Sequence, residues 1–398
     1  MKLKASILAL ATLFTTMSNS HAAKVKVATF NVSMEALNYV EHQRGEPVSV
    51  SENTLTQALN SQHPQIANIA EIIQRVRPDI ILLNEFDNQD NSANNQHRNL
   101  RQFINDYLNK SQNKQAPINY PYFYQGTVNT GVNSGYDLDG NGKQGQLPGD
   151  GFGYGHFSGH FGMAILSKYP IQESKIRSFQ YFKWQDMPGA LKPINPENNS
   201  AWFSDKAWQN MRLSSKSHWD VPIKVNDVTL HILASHPTPP VFDGPEDRNG
   251  KRNHDEIRFW HDYISDKKAS YIYDDKGSFG GLNNNTRFVI LGDLNASNVD
   301  GDALTGGINN LLNHPKIQDA KPISQGGQQH SPDNPNAAQH TAVWRMRADY
   351  VLPSKFGLTV TNSGVFWPAV TDENYRLIKD RKASSDHRLV WLELETNN

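Results

Sequence analysis

The sequence predicts an α/β domain, and three observations carry that prediction. Short apolar runs of strand length recur along the chain, a helical repeat separates the first two, and the polar residues capable of chemistry stand where the runs begin or end. Lys24 to Val32 alternates apolar and polar side chains, as a strand opening the domain would, and Asn31 lies at its end. From Gln65 to Val76, Ile66, Ile69, Ala70, Ile73 and Val76 fall at helical spacing until Arg77-Pro78-Asp79 stops the repeat. Ile80-Ile81-Leu82-Leu83 is then a short, fully buried strand that delivers Asn84 and Glu85. Phe161 to Ser167 is the next strand, closed by Lys168-Tyr169-Pro170. Val228 to Ala234 runs into Ser235-His236-Pro237, and Arg287 to Leu291 into Gly292-Asp293-Leu294-Asn295. Asp349 to Pro353, and Asp386-His387 ahead of Arg388 to Leu392, complete the series. Strands packed side by side would gather these polar residues at one rim, on rigid supports.

The remaining segments set boundaries. Lys2 and Lys4 precede the apolar run Ile7 to Phe14, and Ser20-His21-Ala22 supplies small residues, so residues 1–22 read as a signal peptide cleaved after Ala22. The expectation is export to the periplasm or the medium, with residues 23–398 as the catalytic domain. That apolar run is shorter than the roughly 20 residues needed to cross a bilayer, and no later stretch is long and apolar enough, so no stable membrane anchor is expected. About 376 residues would remain, enough for one large core. The stretch from Asp87 to His160, rich in Asn, Gln and Gly, reads as a loop-rich insertion.

Composition excludes several chemistries. The chain has 0 cysteines, which removes disulfides, thiolate metal sites, cysteine nucleophiles and a lipoprotein anchor. It carries 39 basic and 40 acidic residues, and loss of Lys2 and Lys4 would leave a net charge of about −3. A tight nucleic-acid binder would normally show a basic surplus. Nothing in the sequence implies a protein partner.

Glu85 and Asp293 each close a buried strand and Asp386 precedes another. One carboxylate in such a place is usually a turn or cap residue, but three together are harder to dismiss. With the amides of Asn31 and Asn295 they form a hard-oxygen set suited to Mg²⁺, Mn²⁺ or Ca²⁺. His236 and His387 add groups that can donate or move protons near neutral pH. Metal, aspartate and histidine together are what hydrolysis of a phosphate ester requires: charge on a phosphoryl oxygen, a positioned water and a stabilised transition state.

The ordered series Thr29-Phe30-Asn31, Leu83-Asn84-Glu85, Gly162 to Ser167, Ser235-His236-Pro237, Gly292 to Asn295, Arg347 to Leu352 and Ser385-Asp386-His387 resembles the endonuclease/exonuclease/phosphatase superfamily, from near Val25 to Leu394. That group includes deoxyribonuclease-I-like nucleases, abasic-site endonucleases, neutral sphingomyelinases and inositol-polyphosphate phosphatases. The resemblance implies a four-layer α/β/β/α sandwich of two mixed β-sheets flanked by helices, and an active-site Mg²⁺ or Mn²⁺. It implies that Glu85 is the principal metal ligand with Asn31 and Asp386 near the same ion. Asp293 would orient or activate water, Asn295 position phosphate, His387 contact the scissile phosphate and Asp349 hold that imidazole. His236 would act toward the leaving oxygen, although Pro237-Thr238-Pro239-Pro240 departs from the better-known branches. The implied substrate is a phosphate ester: nucleic acid, a nucleotide or a small phosphoester. Nuclease or phosphodiesterase action comes first, small-molecule phosphatase or sphingomyelinase-like action second, and a non-catalytic binding or toxin-like protein on the same fold is the alternative of another class.

Three further features have two readings each. Asp137-Leu138-Asp139-Gly140-Asn141-Gly142 fits the first half of a calcium loop built on Asp137, Asp139 and Asn141. Its twelfth position is Pro148 with Asp150 nearby, and the other reading is a solvated turn. His160, among aromatic residues and glycines, either walls a substrate pocket or packs its own loop. Arg248 and Arg252, just after His236, either clamp phosphate or make ion pairs on a helix start. Trp184, Trp202, Trp208 and Trp219 read as packing an insertion on the core.

Overall fold

A computed structural model describes residues 23–41, 48–88 and 97–397; the expected signal peptide lies outside the described residues. No helix among the described residues is long and apolar enough to cross a membrane.

The first sheet begins with β1 (Lys24–Met34). A short helix α1 (Thr54–Asn60) leads to α2 (Pro64–Val76). Pro64 stands in the first turn, where its missing N–H costs nothing, and Arg77 ends the helix in the left-handed conformation at φ 56°. Then follow β2 (Ile80–Phe86), α3 (Arg98–Phe103), β3 (Tyr122–Tyr124), β4 (Met163–Ser167) and the two-residue β5 (Arg177–Ser178). The stretch expected as loops from Asp87 to His160 thus contains a helix and a strand. Leu100, Phe103, Tyr107 and Leu108 bury themselves at helical spacing there, a signal diluted by the polar residues between them. The second half holds α4 (Asp205–Asn210), β6 (His218–Val225), β7 (Val228–Ser235), α5 (Arg248–Tyr263), β8 (Phe288–Asp293), α6 (Thr305–Leu312), α7 (Gln325–His330), β9 (Asp349–Pro353), β10 (Leu358–Val365) and β11 (Val390–Thr396).

Two mixed sheets result, ordered β10-β11-β1-β2-β4-β3 and β5-β6-β7-β8-β9. Each contains one parallel pair, β1 with β2 and β7 with β8, among antiparallel neighbours. Val25 and Val27 of β1, Val221 and Ile223 of β6, Ile232 of β7 and Val289 of β8 share one core, so the sheets pack face to face. α2 covers the outer face of the first sheet through Ile66, Ile69 and Ile73. α5 and α6 cover the second through Ile257, Trp260, Tyr263, Ile308 and Leu311, against Leu233, Ile290 and Leu352. Trp184 lies in that second core with Trp202 and Trp208 against it, whereas Trp219 belongs to β6 and the core between the sheets.

Register builds the site. In the first sheet Asn31 pairs with Asn84, and Thr29 with Val390, which brings Asp386-His387 beside Asn31. In the second, Asp293 and Asp349 lie directly opposite each other across β8 and β9. Gly292 permits close approach there, since a Cβ would stand 2.1 Å from the Ser235 carbonyl at the end of β7.

The buried His218 anchors β6 to α5. Its Nε2–H donates to the Glu256 carbonyl (2.8 Å) and its Nδ1 accepts from the Ser214 hydroxyl, so the neutral ring is satisfied and burial pushes its pKa down to about 3. The unfolded chain therefore binds this proton first as pH falls from about 6.5. The stability that His218 contributes is present above that pH and lost below it, by at most about 1.4 kcal/mol per pH unit. The unfolding free-energy difference between wild type and His218→Gln should shrink accordingly between pH 6.5 and 4 in denaturant titrations. A difference independent of pH would show that the histidine is not held neutral.

Candidate active site

Asp293 is the centre of the arrangement. Its backbone N–H donates to Asn84 Oδ1 (3.3 Å), and its carboxyl accepts from Asn31 Nδ2 (3.1 Å) and from the Asn295 backbone N–H (3.0 Å). His236 Nε2 and His387 Nε2 both lie 3.4 Å from Asp293 Oδ2. Burial drives this carboxyl up to about 7, with the charges of Asp349 and Glu85 adding and that of His387 opposing.

His387 is held from both sides. Nδ1–H donates to Asp349 Oδ2 (2.9 Å), which also accepts from the Thr341 hydroxyl (2.7 Å), while Nε2 faces Asp293 and lies 3.3 Å from Asn31 Nδ2. Burial opposes a charge on the ring, but Asp349 and Asp293 outweigh it and push its pKa up to about 10. Asp293, Asp349 and His387 bring donor atoms within 4.8 Å of one another, close enough for a cation. The His387 imidazolium already lies between the two carboxylates and compensates their charge. The edge of Trp344, 44% exposed, meets the His387 ring at a 4.7 Å centroid distance. His236 differs: burial first, then the cations Lys216 and His387, keep it neutral, and its Nδ1 is buried without a hydrogen-bond partner among the described residues. A neutral imidazole suits hydrogen bonding better than proton donation to a leaving group.

A second group of carboxylates lies beside this one. β1 bulges after Asn31, with Ser33 at φ 47°, and Glu85 leaves β2 at φ 54°. Left-handed backbone at a non-glycine residue costs on the order of 1 kcal/mol and is tolerated where the surroundings hold it. Burial raises the pKa of Glu85, and the charges of Glu35 and Asp386 raise it further. Arg381 spans the same carboxylates, Nη2 3.6 Å from Glu35 Oε1 and Nη1 3.7 Å from Asp386 Oδ2, on a side chain that is 52% exposed. A carboxyl destabilised by neighbouring negative charge, with hard oxygens around it, is where a divalent cation fits. Glu85, Asp386 and Glu35 are the residues that would hold it. Asn31 orients the neighbours, since its Oδ1 accepts from the Ser33 backbone N–H (3.2 Å).

Glu35 was not read from the sequence. Its Oε2 accepts from His160 Nε2–H (3.1 Å), and His160 Nδ1 accepts the His156 backbone N–H (3.2 Å), which fixes the neutral tautomer. Phe157 and Phe161 stack on either face of the His160 ring, at 4.7 and 3.9 Å. His160 is fully buried and orients Glu35, so it supports the site from behind instead of walling a substrate pocket.

The other expected residues go elsewhere. Asp137 and Asp139 bring carboxylate oxygens within 4.8 Å of Asp150, and Asn141 Nδ2 donates to Asp139 Oδ2 (3.0 Å). Their oxygens accept backbone N–H groups of Gly140, Gly142, Asn141, Leu138 and Gln146, which close the loop on itself. Arg252 is buried and donates to the carbonyls of Leu213, Phe152 and Arg212, so its Nε and Nη2 donors are taken by the fold. Arg248 pairs with Glu246 and lies over the Trp202 ring.

The sequence pattern described as the Endonuclease/Exonuclease/phosphatase family matches residues 28–387. The chain belongs to that family. Among solved structures, it resembles an endonuclease/exonuclease/phosphatase from Beutenbergia cavernae DSM 12333 at 15% identity and a TM-score of 0.50, covering 94% of this chain and 72% of that one. It also resembles the human Nocturnin catalytic domain with bound sulfate anion (12% identity, TM-score 0.45, 94% and 95% covered). A beta toxin variant from Staphylococcus aureus with bound magnesium ions is similar at 14% identity and a TM-score of 0.44, with 94% and 100% covered. No curated protein matches the chain in sequence. Members of this family are typically phosphoesterases that use divalent metals.

Asp349 is the carboxylate that faces His387 Nδ1, so Asp349→Asn should return the His387 titration from about 10 toward the ordinary histidine range. NMR titration of the imidazole checks this, and a ring that still titrates near 10 would show that Asp349 does not hold its charge.

Proposed function

We propose that this chain is an exported phosphodiesterase dependent on Mg²⁺ or Mn²⁺, with nucleic acid or nucleotide diesters as its first substrate class. The observation that supports the reading best is the placement of the Asp293 carboxyl between two imidazoles, one charged and one neutral, beside the carboxylate group of Glu85, Glu35 and Asp386. Asp293 would orient water and take its proton, which a carboxyl near 7 can do at neutral pH. His387, held by Asp349, would give a charged hydrogen bond to a phosphoryl oxygen as negative charge accumulates. His236 would hydrogen-bond to the ester on the other side of Asp293, and Asn295, whose Nδ2 donates to the Pro237 carbonyl (3.2 Å), would steady that loop. Glu85 and Asp386 would hold a divalent ion, which would supply charge neutralisation for the phosphoryl group. A small phosphoester is the second reading, because a chain near electroneutrality lacks the basic surface that draws in a long polyanion.

The test is hydrolysis by the purified chain of plasmid DNA, bis-p-nitrophenyl phosphate, p-nitrophenyl phosphate and sphingomyelin, after EDTA and then with each metal restored. Metal-restored cleavage of DNA supports the nuclease reading. Cleavage of the small esters alone moves the substrate to the second reading, and silence on all four sinks the enzymatic one. Glu85→Ala should reduce activity and raise the metal concentration required by at least about tenfold; full activity at unchanged metal demand would remove Glu85 from the site. His387→Ala should lower turnover by roughly 10² or more.

A further inference from the structure

Lys216 stands apart from every other lysine described. It is only 6% exposed, and among the described residues its ammonium has no hydrogen-bond or ion-pair partner. Burying an ammonium is costly unless something compensates its charge. Among the neighbouring charges it feels most strongly is Glu256, but that carboxylate is already occupied: Oε1 accepts the Ser215 N–H (2.6 Å) and Oε2 the Thr238 N–H (2.6 Å). The next two are Glu85 and Asp293, and the charge of Lys216 in turn reaches His236. The ammonium therefore lies within electrostatic reach of the site.

The segment that carries it is held in place. Asn129 N–H donates to the Lys216 carbonyl (2.8 Å), Asn129 Nδ2 to that of Ser214 (2.8 Å), Arg252 Nε to that of Leu213 (2.8 Å), and the Ser215 hydroxyl to that of His236 (3.4 Å). His218 pairs with Ser235 across β6 and β7, so Lys216 precedes β6 beside the turn that carries His236. A buried ammonium without a partner among the described residues, on a segment tied by hydrogen bonds to the turn of His236, matches an anionic substrate.

We propose that Lys216 is a further catalytic residue, whose ammonium contacts a non-bridging oxygen of the phosphoryl group during hydrolysis. The inference rests on the phosphoesterase reading above. A purely structural lysine and a substrate-facing one differ in a measurable way. Lys216→Met keeps the length and removes a charge with no protein partner, so the variant should melt at the same temperature as wild type or higher, while losing function. Expected results are a fall in kcat/KM of roughly 10² or more on bis-p-nitrophenyl phosphate and a fall of at least about tenfold in affinity for inorganic phosphate, with partial rescue in Lys216→Arg. The absence of cysteine allows a stricter arm: Lys216→Cys creates the sole thiol, and its alkylation with bromoethylamine restores an ammonium at nearly the original position. Recovery of phosphate affinity on alkylation supports the proposal. Equal phosphate affinity in wild type and Lys216→Met, or a wild type that binds no phosphate, overturns it. Because phosphate titration needs no turnover, a chain that binds phosphate through Lys216 yet cleaves no ester would sink the proposed function and leave the contact standing.

Discussion

The hydrogen bond from Asn31 to Asp293 spans the space between the two sheets, and the site depends on it. β1 and β8 belong to different sheets, and their apolar faces can slide or separate without any directional penalty. A polar pair at the rim, reinforced by Asn84 accepting the Asp293 N–H, does have a direction. It sets the two rims in one register, so that Asp349, opposite Asp293, reaches the His387 ring that stands ahead of β11. Buried polar groups must be satisfied, and here each satisfaction fixes another side chain of the site.

From that seam, charge divides into two regions with different requirements. Around Asp293 the protein supplies its own compensation, because the His387 imidazolium lies between two carboxylates. Around Glu85, Glu35 and Asp386 deepen the negative potential, His387 opposes it in part, and Arg381 reaches Glu35 and Asp386 at 3.6 and 3.7 Å from an exposed side chain. His160 has the opposite character, since its tautomer is fixed by the His156 N–H and its ring by two phenyl faces. One region is rigid and self-neutralised, and the other is rigid in its carboxylates but incomplete in its charge.

Most of the fold and the core of the site were legible because one rule covers both: apolar runs become strands, and polar residues at their ends become a rim. Asn31, Glu85, His236, Asp293, Asn295, Asp349, Asp386 and His387 all follow it. β6 was missed because its sequence breaks the apolar pattern with His218, Asp220 and Pro222. The structure resolves each: His218 is satisfied against α5, Asp220 accepts from His231 Nδ1 and the Tyr263 hydroxyl (both 2.7 Å), and Pro222 lies beyond the residues that β5 pairs. With β6 hidden, Lys216 at its start had no strand to mark it. Glu35 stood too close after Asn31 to be separated from its turn. Arg248 and Arg252 misled for the reverse reason: charge beside His236 is visible in sequence, but the carbonyls of Leu213, Phe152 and Arg212 that claim Arg252 come from distant segments.

The near-neutral balance of the chain now acquires a physical meaning. A chain near electroneutrality has no net positive field with which to concentrate a phosphate ester at long range, and salt screens such fields within roughly 10 Å. Affinity must then come from charges next to the reacting atoms, where low dielectric makes each of them count for more. His387 would be such a charge, stabilised in advance by Asp349, and Lys216, without a partner among the described residues, would be another. A lysine left unpaired destabilises the folded chain, whereas the same ammonium facing a phosphoryl group is compensated only when substrate is present. On the proposed reading, such an arrangement would trade folding stability for binding energy at the phosphate.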